Sequence, residues 1–132
     1  MDTFHAKQLS PTALAFVGDA VFDVFIRARI LRENPQPGRA LHKLATQYTS
    51  ARGQAALAVD FEKLLNDDER EIFRRAKNTR LGHVPKSATE AEYHLATGLE
   101  AVFGYLWLCG EERRLAQLLL PYQPGQAKQH LP

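Results

Sequence analysis

Three carboxylates stand where carboxylates are expensive. Asp19 and Asp23 interrupt the apolar stretch "LAFVGDAVFDVFIRARIL", and Glu100 interrupts "LATGLEAVFGYLWL". A charge among apolar side chains must be paired, protonated or bound to a cation. At helical spacing Asp19 has no basic neighbour, Asp23 has Arg27, and Glu100 has only Ala96, Thr97, Phe103 and Gly104. If the two segments pack together, Asp19 and Glu100 face each other. Two hard oxygen ligands on rigid helices, with water in the other positions, suit Mg²⁺. Such an ion lowers the pKa of a bound water and stabilises charge on a phosphoryl oxygen. A plainer reading competes: an Asp after Gly caps a helix, a helical Glu is solvated, and Arg27 accounts for Asp23. Spacing alone leaves both readings open.

The elements that must position these residues are helical. Long segments carry a 3.6-residue period, and no period-2 alternation competes with it. Ser10 as cap and Pro11 as first residue open a helix that runs to about residue 32, before "ENPQPG". Further helices are expected over 38 to about 48, 51–65, and "DEREIFRRAKNT", with Asp67 or Asp68 as the cap of the last. "RLGHVPKS" reads as a loop, after which Ser87 or Thr89 opens a long helix to Cys109. A short helix over 111–120 ends at Pro121, and the tail from about 121 is expected to fray. The fold class is therefore all-α, one domain over 1–132 with short connections. In the first long helix Leu14, Val17, Val21, Val24, Ala28 and Leu31 form one stripe, and Phe22 and Ile26 lie on another face. Apolar residues on two faces call for burial on two sides, in a core and against a second subunit. Phe16 and Val17, beside Asp19, are the expected interface residues. Gly98 and Gly104 cost the late helix about 1 kcal/mol each relative to Ala, a cost that close approach of another helix backbone would offset.

Composition bounds the rest. With 45% hydrophobic and 24% charged residues, the chain has the balance of an ordinary globular domain. A net charge of +2 excludes a polybasic tail protein but permits an anionic partner where positive charge clusters. The single Cys109 excludes an internal disulfide and a cysteine-rich zinc site. "MDTFHAKQ" lacks the charged start and apolar stretch of a secretory leader, and no apolar run suits a bilayer, so the cytoplasm is the expected compartment.

"LAFVGDAVFDVFIRARIL" resembles the signature helix of the ribonuclease III family, an apolar run into Gly-Asp-Ala or Gly-Asp-Ser. "ATGLEAVFGYLWL" resembles that family's second acidic helix, and "LHK", "SARGQA", "RAKNTR", "PK" and "EYHLATGLEA" follow the order of its Mini-ribonuclease III branch. The resemblance spans roughly residues 9–120 and implies the helical bundle of the ribonuclease III endonuclease domain. Carried over by position, Asp19 matches the essential catalytic Asp and Glu100 the metal-binding Glu, while Asp23 is a candidate for an outer, water-mediated role. Thr12, Ala15 and Thr97 stand where full-size members carry acidic residues, so the metal site is lean in protein oxygens. The resemblance to the Mini branch further implies a catalytic-type domain without the double-stranded-RNA-binding domain of full-size members.

The resemblance implies an Mg²⁺-dependent homodimeric endoribonuclease (Mn²⁺ able to substitute) that cuts double-stranded RNA and matures the ends of the 23S ribosomal RNA precursor. A ribosomal protein or a pre-50S particle would be a further partner. Arg74, Arg75, Lys77, Asn78, Arg80 and Lys86 precede the second acidic helix, and Arg75, Lys77, Asn78, Arg80 and Lys86 are the expected RNA contacts. Lys43 and Arg52 would extend that surface. The plainer reading of the cluster is a solvated helix end, since basic residues favour helix C-termini. His42 is expected to serve packing or backbone bonding, and Tyr93 and His94 stay unassigned. Two rival classes remain: a non-catalytic RNA-binding module of the same fold, and a structural all-α homodimer with no nucleic-acid role.

Overall fold

The computed structural model describes residues 1–35, 37–79 and 88–120, and within them every regular element is helical. They are α1 (Thr3–Gln8), α2 (Pro11–Glu33), α3 (Gly38–Thr49), α4 (Ala51–Phe61), α5 (Asp67–Lys77), α6 (Glu90–Leu108) and α7 (Glu112–Leu119), with a 3₁₀ turn over Glu62–Leu64. The expected fraying tail lies outside the described residues.

Local chemistry sets the boundaries. The Ser10 hydroxyl accepts the Ala13 N–H at 3.1 Å and Pro11 opens α2. Ser50 closes α3 and caps α4, accepting the Gly53 N–H at 3.1 Å. Thr89 caps α6 in a reciprocal capping box with Glu92. At the other end of α6, Gly110 takes φ 74°, so that the N–H groups of Glu111 and Gly110 close on the carbonyls of Leu106 and Trp107.

Four sequence expectations change. The cap of α5 is Asn66, in a capping box with Glu69, rather than Asp67 or Asp68. An amide that accepts one residue earlier satisfies the same orphan N–H groups and leaves both Asp side chains in the first turn, facing the positive helix end. The helix expected over 51–65 tightens into a 3₁₀ turn after Phe61. The six-residue α1 carries too little periodicity to be legible; it is held from outside itself. Ala6 is fully buried, Lys7 pairs with Asp68 at 2.9 Å, and Arg75 donates to the Lys7 carbonyl at 2.9 Å. Finally, the core face of α2 is Leu14, Gly18, Val21, Phe22, Ile26 and Ile30, not the stripe through Val24 and Leu31, which stay exposed. The reason is tertiary: α2 turns its glycine, rather than its widest apolar row, toward α6.

α2 and α6 form the largest helix pair, with α4 and α5 packed on other sides of α6. Their crossing is made by backbone. A Cβ on Gly18 would lie 1.5 Å from the Glu100 carbonyl oxygen, and one on Gly104 would lie 1.9 Å from the Leu14 carbonyl oxygen. Gly104 therefore does face a helix backbone, whereas Gly98 makes room for the Phe73 ring. Around this crossing Phe103 stacks edge-on to Phe22 and tilts against Phe61, with centroids 5.4 and 5.7 Å away. A buried ion pair ties α7 to α5: Arg114 grips both oxygens of Glu69, each at 2.8 Å or less, and also donates to the Leu64 carbonyl.

A methyl group added at Gly18 has nowhere to go, because the obstacle is main chain and not a side chain that can turn away. Gly18→Ala should cost about 3 kcal/mol or more, at or beyond the usual range for overpacking. Gly38→Ala, at a position with open space, should change stability by less than about 0.5 kcal/mol. Urea denaturation of both variants checks the contrast.

Candidate active site

The backbone contact at Gly18 fixes what its neighbours can do. Asp19 is the next residue, and Glu100 contributes the carbonyl that Gly18 touches. The two carboxyl groups consequently lie close together at one cleft. Asp19 is exposed, while Glu100 is only partly so. Burial, together with the hydrogen bond and the charge of Asp19, pushes the Glu100 carboxyl up to about 9. At neutral pH Glu100 therefore holds a proton.

The pair opens onto a cleft of about 1000 Å³, whose walls include Phe16, Asp23, Tyr93, Thr97 and Trp107. Asp23 is engaged elsewhere, accepting from the Arg27 guanidinium at 2.7 Å. Thr97 is buried and donates its hydroxyl to the Tyr93 carbonyl at 2.8 Å, so it adds no acidic oxygen. His94 sits 3.6 Å from Glu90, and His42 is exposed, which removes packing from the two roles expected for it. Among the described residues no group of three or more His, Cys, Asp or Glu side chains could hold a metal.

One polar neighbour of Glu100 escaped the sequence reading. Gln54 of α4 is 2% exposed and lies against the Glu100 carboxyl, where it favours the charged form. A polar residue between Gly53 and the run "AALAV" was the available signal; only the packing of α4 on α6 shows what it faces.

The basic cluster is partly committed to the fold. Arg74 forks onto Glu71, with its closest contact at 2.7 Å, and Arg75 holds α1 through the Lys7 carbonyl. Lys77 lies 5.7 Å over the Phe73 ring, and Asn78 caps the end of α5 in an exposed position. Lys43 and Arg52 are exposed on α3 and α4. Arg80 and Lys86 fall outside the described residues.

The Glu100 proton has a measurable consequence in the metal-free protein. Below the ordinary Glu value of 4.5 the carboxyl is protonated in both the folded and the unfolded chain. Between 4.5 and about 9 only the unfolded chain releases the proton, so folding stability falls as pH rises through that window. Glu100→Gln removes this effect. In chelator its melting temperature should match the parent near pH 4.5 and exceed it by several degrees at pH 8.

Comparison with known proteins identifies the family. The Ribonuclease III domain family matches residues 12–111, which include both acidic helices up to their carboxylates and beyond. A Mini-ribonuclease 3 of Thermoanaerobacter sp. (strain X514) is 41% identical over 111 residues, covering 84% of this chain and 78% of that one. The Mini-ribonuclease 3 of a Synechococcus strain is 42% identical over 113 residues, covering 86% and 80%. The crystal structure of a Fusobacterium nucleatum protein superposes with a TM-score of 0.78 at 29% identity, covering 85% of this chain and 91% of that one. Among the described residues no helix is long and apolar enough to cross a membrane. The chain belongs to the ribonuclease III family, in its Mini-ribonuclease 3 branch, and is an endoribonuclease.

Proposed function

We propose that this endoribonuclease hydrolyses phosphodiesters of double-stranded RNA with Mg²⁺ held by Asp19 and Glu100, Mn²⁺ being able to substitute. We propose further that its natural substrate is the 23S ribosomal RNA precursor in the cytoplasm, presented with a ribosomal protein or within a pre-50S particle. The observation that carries the chemistry is the meeting of the two carboxyls at a backbone-locked helix crossing, open to a wide cleft.

The donor set fits such a cation. Two hard oxygen donors stand on helices that cannot separate, and Glu100 holds a proton that a divalent ion can replace. With no third ligating side chain grouped there among the described residues, water and RNA phosphate would complete the shell, as Mg²⁺ prefers. When bound, the ion supplies charge stabilisation at the phosphoryl group and an acidified water. Asp19, exposed at the cleft, presents its carboxylate toward solvent and substrate. Glu100, with its proton released to solvent, would be the second anionic donor, and its partial burial would limit its orientation. The products are a 5′-phosphate and a 3′-hydroxyl. Asp23, lining the same cleft, acts through an intervening water at most, since Arg27 occupies it.

RNA binding is assigned to Arg75, Lys77, Asn78, Arg80 and Lys86, which would track phosphates and 2′-hydroxyls of the duplex. The function also calls for two sites, one for each strand, and a homodimer supplies them. Phe16 at 82% exposure, with Val24 and Trp107 also exposed on the cleft, gives an apolar face suited to a second copy.

Three measurements test this. Asp19→Asn should lower cleavage of duplex RNA by at least about a hundredfold while binding survives, scaled by the loss of a transition-state charge contact; a normal rate would sink the catalytic assignment. Changing Lys77 and Arg80 together to Ala should weaken duplex binding and reduce its salt dependence by about two phosphate contacts. Phe16→Asp should shift sedimentation toward the monomer.

A further inference from the structure

Gln54 comes from neither of the crossing helices, yet it reaches their carboxyl pair. Its Nε2 is buried and has no hydrogen-bond partner of good geometry, although the amide lies against Glu100. Buried donors are almost always satisfied, and an exception asks for an explanation. The backbone that carries Gln54 is fixed. Its neighbour Gly53 packs so closely on α3 that a Cβ there would lie 2.0 Å from the Gln47 carbonyl oxygen. Ser50 caps the same turn of α4, which leaves Gln54 on a rigid stretch of backbone. The amide is thus held beside the one carboxyl that faces Asp19, and its N–H is kept in reserve.

We propose that Gln54 is a positioning residue: its Nε2–H donates to one carboxylate oxygen of Glu100 in the cation-bound protein and leaves the other oxygen for the cation. This rests on the reading of Asp19 and Glu100 as cation ligands. An amide N–H is a donor only, so it rewards the anionic carboxylate and sets its plane, in the way that outer partners orient metal ligands elsewhere. The orphaned donor then has a use: it gains its full partner in the state that binds metal, and the hydrogen bond adds to cation affinity.

The test is Mn²⁺ binding to the RNA-free protein, read by electron paramagnetic resonance, for the parent, Gln54→Met, Gln54→Asn, Asp19→Asn and Glu100→Gln. Gln54→Met keeps length and volume but has no donor; it should weaken Mn²⁺ binding tenfold or more. Its melting temperature in chelator should stay level or rise, because an unsatisfied donor has been removed. A role in packing alone would move the melting temperature and leave Mn²⁺ affinity unchanged. Gln54→Asn withdraws the donor by one methylene and should weaken binding to an intermediate degree, and it carries the test if the Met variant does not fold. Unchanged Mn²⁺ affinity in the Gln54 variants, with binding lost in Asp19→Asn and Glu100→Gln, overturns the role of Gln54 and leaves the ligand reading intact. Parental Mn²⁺ affinity in the Asp19 and Glu100 variants overturns the ligand reading, and the role of Gln54 with it.

Discussion

The main-chain contact between α2 and α6 is the constraint from which the rest follows. Gly18 and Gly104 carry no side chain where the helices cross, and each fills its place with the other helix's backbone. Helix pairs separated by ordinary side chains stand 8–10 Å apart; here that layer is missing. Asp19 follows Gly18 directly, and Glu100 precedes Gly104 by one helical turn. The packing decision and the chemical decision are therefore the same decision, since the atoms that exclude a methyl group also bring two carboxyls together.

Several other carboxylates are neutralised by a fixed partner. Glu69 is buried under the Arg114 fork, Asp23 is held by Arg27, and Asp68 by Lys7. The Asp19–Glu100 pair follows a different rule. Neither joins an ion pair among the described residues, and burial beside Asp19 favours the protonated form of Glu100. Breaking the Glu69–Arg114 pair would strand a buried charge, whereas the Asp19–Glu100 pair is the one we propose exchanges its proton for a cation. The carboxylates of this chain are thus distinguished by what stands beside them, not by residue type.

Much of the architecture was legible from residue order. Ser10–Pro11, Ser50, and Thr89 with Glu92 announced where helices begin, because an N-cap is a local hydrogen bond that needs no distant partner. The extra apolar breadth of α2 and α6 was visible as well. Which apolar row of α2 goes inward was not: Val24 and Leu31 continue the most regular stripe, yet they are exposed, because the glycine contact rotates α2 so that Phe22 and Ile26 face the core. α1 stayed hidden because its burial depends on α5 and α6 rather than on its own pattern.

By itself the sequence determined that Asp19 and Glu100 lie on two strongly apolar helices without local basic partners, and motif order tied those helices to the ribonuclease III family. Those are properties of neighbours along the chain, which spacing reports faithfully. Tertiary structure decided that the two carboxyls lie close together, that Glu100 rather than Asp19 is the more buried, and that Gln54 stands beside it with an unused N–H. It also turned Arg75 toward the Lys7 carbonyl and Asp23 toward Arg27. The physical reason is distance: a side chain's partner across a helix crossing depends on how closely two backbones approach, and that is set by the glycines of both helices acting together.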